Sequence, residues 1–199
     1  MGMTTTTTPV MLTHSPRARV PLGPPKGKLA KLIDRLVARK FGGSADPLRA
    51  MWHNPRVLRA DLALEAGVTR FKTLSPQLQM LAVMTTAGRI ECGWCMDFGY
   101  FEAHSKGVPP EKLAAVPTWR TSDVFSPVER RVMEFAEAAT ATPPAVTDEM
   151  TQALRADLGD DGLVELTMMV AVENLRSRFN STLGLSSQGF SESCRVPTR

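Results

Sequence analysis

The chain has 199 residues, 43% of them hydrophobic and 22% charged, the balance of a folded globular protein rather than a disordered one. The length suits one domain with enough chain to bury a real core, and no apolar run reaches the roughly 18–20 residues that span a bilayer. The net charge of +4 is uneven: residues 1–40 carry eight Lys/Arg against Asp34 alone, and the remainder carries 16 basic against 19 acidic residues.

Residues 1–27 are rich in Thr and Pro, with Pro9, Pro16, Pro21, Pro24 and Pro25, and are expected to be an extended or disordered basic leader. Such a leader is either a tether or targeting peptide or simply a solvated arm. No hydrophobic signal core follows its cations. Order is expected from Lys28, where Leu29, Leu32, Ile33, Leu36 and Val37 follow helical spacing up to Gly42. Lys31, Arg35, Arg39 and Lys40 lie off that stripe without aromatics for stacking, which argues for a solvated face rather than a nucleic-acid surface.

A short helix is expected from Asp46. Asn54-Pro55 and Ser75-Pro76 then each place a cap before proline at the first helical position, with stops at Gly67 and Gly88. Another helix follows, ending at Gly107, and Pro109-Pro110 opens a short one bounded by Pro117. Ser126-Pro127-Val128-Glu129 is a capping box ahead of Val128, Val132, Phe135, Ala136 and Ala139. Thr147-Asp148 starts a helix that stops at Gly159, and Asp160-Asp161 opens the longest, over about 161–183. The last 15 residues are Ser-rich and are expected to pack loosely, with 191–199 as a tail beyond a domain at 28–190. No stretch shows period-two alternation or a hairpin dipeptide. The fold class is therefore all-α, a single-domain bundle of about eight helices.

The one stretch that suggests chemistry runs from Gly88 to Gly107. It holds Cys92 and Cys95, spaced C-x-x-C at the start of a helix. Unpaired N–H groups and the positive end of the helix dipole favour a thiolate there, and two cysteines within one turn can close a disulfide. Three cysteines do not make a secreted disulfide framework, so a reducing, cytoplasmic location and a reactive dithiol are expected. The other reading is a pair of core cysteines in a fold without activity. Zinc would need two more ligands, and Cys194, His14, His53 and His104 show no paired spacing. No Gly-rich phosphate loop and no C-x-x-C-H are present, so no cofactor and no metal are expected.

Three blocks resemble the alkylhydroperoxidase-D-like, or carboxymuconolactone decarboxylase, family. Leu74-Ser75-Pro76 leads into an apolar helix ahead of the dithiol; Cys92-x-x-Cys95 with Ala103 and Gly107 matches the family spacing; and Leu163-Val-Glu-Leu with Glu173-Asn174-Leu175 and Arg178-Phe179-Asn180 is similar to its C-terminal helix. The resemblance covers about residues 47–190. It implies an all-helical homo-oligomer in whose redox branch Cys95 attacks a hydroperoxide, Cys92 resolves the sulfenic acid as a disulfide, and a dithiol reductant restores both thiols. Two positions depart from it. The motif histidine falls on Gly99, and the motif glutamate, twelve residues before Cys92, falls on Met80.

The missing side chain at Gly99 is expected to widen a pocket, with Glu102 or Glu91 handling protons through water. His104, nine residues after Cys95, falls on the opposite helix face. Trp94, Met80 and Gly99 are candidate pocket residues, although Trp and Met at such positions commonly serve packing alone. Asn174 and Arg178 share a face at i, i+4, and with Glu173 and Asn180 they form either an interface or pocket network or a purely structural polar set. The expected function is a thiol-dependent peroxidase or disulfide oxidoreductase acting on a small hydroperoxide. The alternatives are a decarboxylase or lyase on a small carboxylated or lactone substrate, and a non-enzymatic redox-sensitive oligomer. No nucleic acid or membrane partner is expected.

Overall fold

Three helices begin at the cap–proline pairs that the sequence displays. Asn54 accepts from the N–H groups of Arg56 and Val57 ahead of α3 (Pro55–Val68), and Ser75 accepts from Leu78 ahead of α4 (Pro76–Ile90). Ser126 and Glu129 close a reciprocal capping box at α7 (Pro127–Thr140). Proline costs nothing at the first helical position, where the N–H has no intrahelical partner, and each cap contributes about 1 kcal/mol. The computed structural model describes residues 18–23, 25 and 27–194. Among these the remaining helices are α1 (Lys28–Phe41), α2 (Asp46–Met51), α5 (Gly93–Ser105), α6 (Pro110–Ala115) and α8 (Asp148–Thr182). Two 3-10 segments lie at Val116–Thr118 and Phe190–Cys194. The all-α bundle of eight helices agrees with the sequence expectation, and no described residue lies in a strand. No described helix is long and apolar enough to cross a membrane.

Helix α4 is the centre, packed against α5, α7 and α8. Every residue from Met80 to Ala87 is buried, which a helix tolerates only when neighbours cover it all round. Ala82 joins Val132, Phe135, Leu166 and Val170, Met84 joins Trp119, Phe125 and Met133, and Met80 joins Val83, Ala103 and Met169. The start of α4 is fixed to α8 by Glu165. Its carboxylate accepts from the backbone N–H groups of Lys72 (3.1 Å), Thr73 (2.9 Å) and Leu74 (3.0 Å) and from Gln79 Nε2 (2.9 Å). Burial alone would raise its pKa, but the donors of Leu74, Gln79 and Thr73 hold it below the ordinary value.

Helix α8 contains the break expected at Gly159, which has φ 74° and ψ 175°. Side chains are strained there, and a Cβ would also sit 2.9 Å from Asp161 Oδ1. Gly159→Ala is expected to cost about 1–3 kcal/mol, read as a lower urea midpoint at unchanged slope. An unmoved midpoint would show that the backbone at this break is not glycine-dependent.

Two expectations about the chain ends need correction. In α1 the face turned inward carries Ala30 and Asp34, whereas Leu32 and Leu36 of the predicted apolar stripe are 51% and 57% exposed. Asp34 on that face meets Arg49 Nη2 at 3.2 Å and Ser44 Oγ at 3.3 Å. The Ser-rich end is not loose through residue 191, because backbone N–H groups from 188 to 191 converge on Asp97. Of the predicted leader, residues 1–17, 24 and 26 lie outside the described residues. Residues 18–23 form no helix and are tied down by Arg19 N–H to Leu183 O (2.8 Å) and by His53 Nε2 to Pro21 O (2.8 Å).

Candidate active site

Helix α4 runs past Gly88 to Ile90 and stops at Glu91, whose left-handed backbone (φ 60°, ψ 36°) turns the chain. The Cys92 N–H then bonds Ala87 O at 3.1 Å. The turn makes Cys92 the N-cap of α5, its Sγ accepting from the Cys95 N–H at 3.2 Å. The two cysteines are joined by a disulfide, with their Cα atoms 5.3 Å apart. They are 1% and 5% exposed in an apolar shell of Ala87, Trp94 and Met96. One side-chain donor enters this shell from across the bundle: Asn180 Nδ2 of α8 donates to Cys95 Sγ at 3.3 Å. The sulfur it addresses is that of Cys95, whose place in the first turn of α5 also puts it near the positive end of the helix dipole.

The segment 187–191 lies as a strap over the start of α5. Asp97 gathers it by accepting from the N–H groups of Gln188 (2.9 Å), Gly189 (2.8 Å), Phe190 (3.1 Å) and Ser191 (2.8 Å). Burial alone would raise the Asp97 carboxyl, but the donors of Ser191, Gln188 and Phe190 hold it below its usual range. Trp94 completes the attachment, with its indole N–H donating to Gln188 Oε1 at 2.7 Å and its ring stacked on Phe98 at 4.9 Å.

The residues singled out from sequence fall in different places. Cys92, Cys95 and Trp94 share one cluster. Met80 belongs to another, with Val83, Ala103 and Met169, and receives Lys106 Nζ on its sulfur at 3.5 Å. Glu102 pairs with that same Lys106 at 2.8 Å, and Glu91 is an exposed turn residue. Gly99 opens no pocket: a Cβ there would lie 2.5 Å from Met84 Sδ, so the methionine fills the space expected to be empty. His104 is exposed, and the side chain of Cys194 lies outside the described residues.

Of the α8 polar groups, Asn174 and Arg178 face away from the dithiol. Asn174 donates to Thr140 Oγ1 at 3.0 Å, and Arg178 reaches Asn174 Oδ1 and the Thr140 carbonyl. Glu173, Ser177 and Asn180 form the inward face instead, and all three are buried. Ser177 Oγ donates to Glu173 Oε1 at 2.7 Å, and Arg176 Nη1 donates to Glu173 Oε2 at 3.4 Å. Burial pushes the Glu173 carboxyl up to about 7, against the opposing pull of Arg176 and Ser177. Burial would lower the Arg176 pKa, but its fork onto Glu65 at 2.6 and 2.7 Å raises it overall. The sequence signal for the column is the seven-residue spacing of Glu173 and Asn180, which returns to one helix face after two turns.

The family model for the carboxymuconolactone decarboxylase family matches residues 55–138. The chain is 31% identical over 180 residues to the Escherichia coli (strain K12) protein YnjA, covering 88% of this chain and 97% of that protein. Its fold is similar to the alkylhydroperoxidase AhpD core of a peroxidase-related protein from Ralstonia eutropha JMP134 (TM-score 0.75, 21% identity, 91% of this chain and 98% of that one). It is also similar to the debrominase Bmp8 C82A in complex with 2,3,4-tribromopyrrole (TM-score 0.76, 18% identity, 89% of this chain and 97% of that one). With its eight described helices ordered around a buried α4 and a C-x-x-C at the head of α5, the chain belongs to the carboxymuconolactone decarboxylase family.

Proposed function

We propose that the protein is a cytoplasmic thiol-dependent peroxidase that reduces a small organic hydroperoxide and is recharged by a dithiol reductant. The observation that carries this reading is the Cys92–Cys95 disulfide at the start of α5, with the Asn180 amide donating to Cys95 Sγ. A helix start and an amide donor both stabilise negative charge on sulfur. Cys95 is the attacking thiolate and Cys92 the resolving thiol.

Cys95 S⁻ attacks the terminal oxygen of the hydroperoxide. The O–O bond breaks, an S–O bond forms, and the alkoxide leaves as an alcohol once protonated. The Cys92 thiol then displaces hydroxide from the sulfenic acid, giving the disulfide and water. A dithiol reduces that disulfide by two exchanges and is itself oxidised to a disulfide. The apolar shell of Ala87, Trp94 and Met96 favours an organic hydroperoxide over a charged one.

The test is stoichiometric. Reduced protein given one equivalent of tert-butyl hydroperoxide is expected to lose two thiols and release one equivalent of tert-butanol. Unchanged thiols after prolonged exposure would overturn the assignment and return attention to a lyase in which the dithiol is peripheral.

A further inference from the structure

The exchange just proposed takes a proton from each of two thiols and delivers one to each of two leaving oxygens, and the shell around the disulfide offers little to move them. Ala87, Trp94 and Met96 surround the sulfurs, and the Trp94 N–H is committed to Gln188. Glu102 is held by Lys106. A leaving alkoxide that must depart unprotonated is a poor leaving group, and a placed acid contributes about 10²–10⁴ in rate.

Polar side chains continue inward from Asn180 along one face of α8. Ser177 lies three residues back and Glu173 four further. That places them about 4.5 and 10.5 Å along the axis from Asn180 at 1.5 Å per residue. Both are within a few percent of complete burial, and Ser177 Oγ is already bonded to Glu173 Oε1 at 2.7 Å. A buried carboxyl whose partners are a hydroxyl and one long contact from a guanidinium is far from the fully paired state that burial of a charge demands. Arg176 gives its two short bonds to Glu65 on α3 and only the 3.4 Å contact to Glu173.

We propose that Glu173 is the proton store of the Cys95 site, that Ser177 carries the proton along α8, and that Asn180 holds the sulfur at the column's end. The proposal rests on the peroxidase reading above. Asn180 touches the reacting sulfur and is a catalytic residue in that sense; Ser177 and Glu173 are positioning residues that act through it and through one another.

A serine hydroxyl suits this place because it donates and accepts at once. With Glu173 ionised, the Ser177 hydroxyl points at the carboxylate. With Glu173 protonated, the carboxyl donates to Ser177, and the serine proton is handed to a water molecule that bridges Ser177 and Cys95, because the Ser177 hydroxyl has no direct bond to that sulfur. Reversal of these bonds returns the proton the same way. The Cys95 thiol proton passes to the Glu173 carboxylate and leaves the thiolate. After attack, the Glu173 carboxyl returns that proton to the alkoxide, giving the alcohol. The carboxylate then takes the Cys92 proton and delivers it to the departing hydroxide as water. No net proton is gained or lost.

The groups that face this carboxyl are Arg176 and Ser177 of its own helix, Glu65 and Asp61 of α3 across Arg176, and Glu102 of α5, itself bound to Lys106. A carboxyl poised near 7 can both give and take at neutral pH, as an acid–base store must.

The test uses full-length reduced protein carrying Cys92→Ser, so that Cys95 is the attacking thiol, with iodoacetamide alkylation at Cys95 followed by peptide mass across pH 5–9. An inflection between pH 6 and 8 is expected with Glu173 present and is expected to vanish in Glu173→Gln. In the otherwise wild-type chain, Glu173→Gln and Ser177→Ala are each expected to lower kcat for tert-butyl hydroperoxide about 10²-fold, with KM within about two-fold. A featureless profile with Glu173 present overturns the proposal whether or not the Gln variant folds. A profile unchanged by Glu173→Gln in protein of native circular dichroism overturns it too, and full activity of Ser177→Ala overturns the carrier role. An inflection that depends on Glu173 in protein that consumes no peroxide sustains the proton store and sinks the peroxidase reading instead.

Discussion

Cys95→Ser is expected to abolish dithiol-driven peroxide consumption, by about 10³-fold or more, the scale at which loss of a nucleophile leaves only background. Cys92→Ser is expected to stall the steady state as severely, for a different reason. Its Cys95 can still be oxidised once, so one equivalent of hydroperoxide disappears in a burst and a sulfenic acid accumulates that dimedone traps. The asymmetry follows from the site. Asn180 Nδ2 donates to Cys95 Sγ, whereas Cys92 Sγ is addressed by the Cys95 backbone N–H and is the less exposed of the two. A burst that survives Cys95→Ser and disappears in Cys92→Ser would exchange the two roles. Neither substitution should unfold the chain, since serine occupies a similar volume and α5 keeps a capping residue in either case.

Asp97→Ala is the substitution with the largest expected effect on stability away from the dithiol. One carboxylate satisfies four consecutive backbone donors, from Gln188 to Ser191. Hydrogen bonds to a charged acceptor contribute about 1.5–3 kcal/mol each, and four that share one acceptor do not add. A loss of about 3 kcal/mol is expected, or roughly 6–12 °C in Tm for a chain of this size. The pH dependence has a definite sign. The folded pKa is lowered from 3.8, so the stabilisation is present above the unfolded value near 3.9 and is lost as pH falls through the folded value. The gap between wild type and Asp97→Ala should therefore be full at pH 6 and narrow below about pH 4. Freeing residues 187–191 should also speed reduction of the disulfide by dithiothreitol, because this segment lies against Gly93 and Trp94. Equal Tm values at pH 6 would mean that the strap is anchored elsewhere.

Most of the helical layout was legible in the sequence because its signals are local. Asn54-Pro55, Ser75-Pro76 and the Ser126–Glu129 box act within four residues of themselves, and Gly159 breaks α8 through its own backbone angles. Features that depend on distant partners were not legible. The Ser-rich end gave no pattern because Asp97, about ninety residues earlier, holds it through backbone amides rather than side chains. The apolar stripe of α1 misidentified its inward face, which carries Asp34 paired with Arg49 of α2. In α8 the visible i, i+4 pair was Asn174 and Arg178, which caps the end of α7. The α8 residue that reaches the dithiol is Asn180, and Glu173, seven residues before it, is buried on the same helix; neither the contact nor the burial is revealed by spacing.

The sulfur of Met84 beside Gly99 has a consequence for how such a site can change over generations. Even a methyl group at position 99 would meet that sulfur at 2.5 Å. Met84 is 1% exposed and wedged among Leu81, Trp119, Phe125 and Met133, so it has nowhere close to retreat. The two positions are therefore sterically coupled: an imidazole at 99 needs a smaller or displaced side chain at 84, and shrinking 84 alone leaves a cavity in the core, at a cost of about 2–5 kcal/mol for a methionine cut to alanine. Placing a side chain at 99 therefore calls for two coordinated changes rather than one.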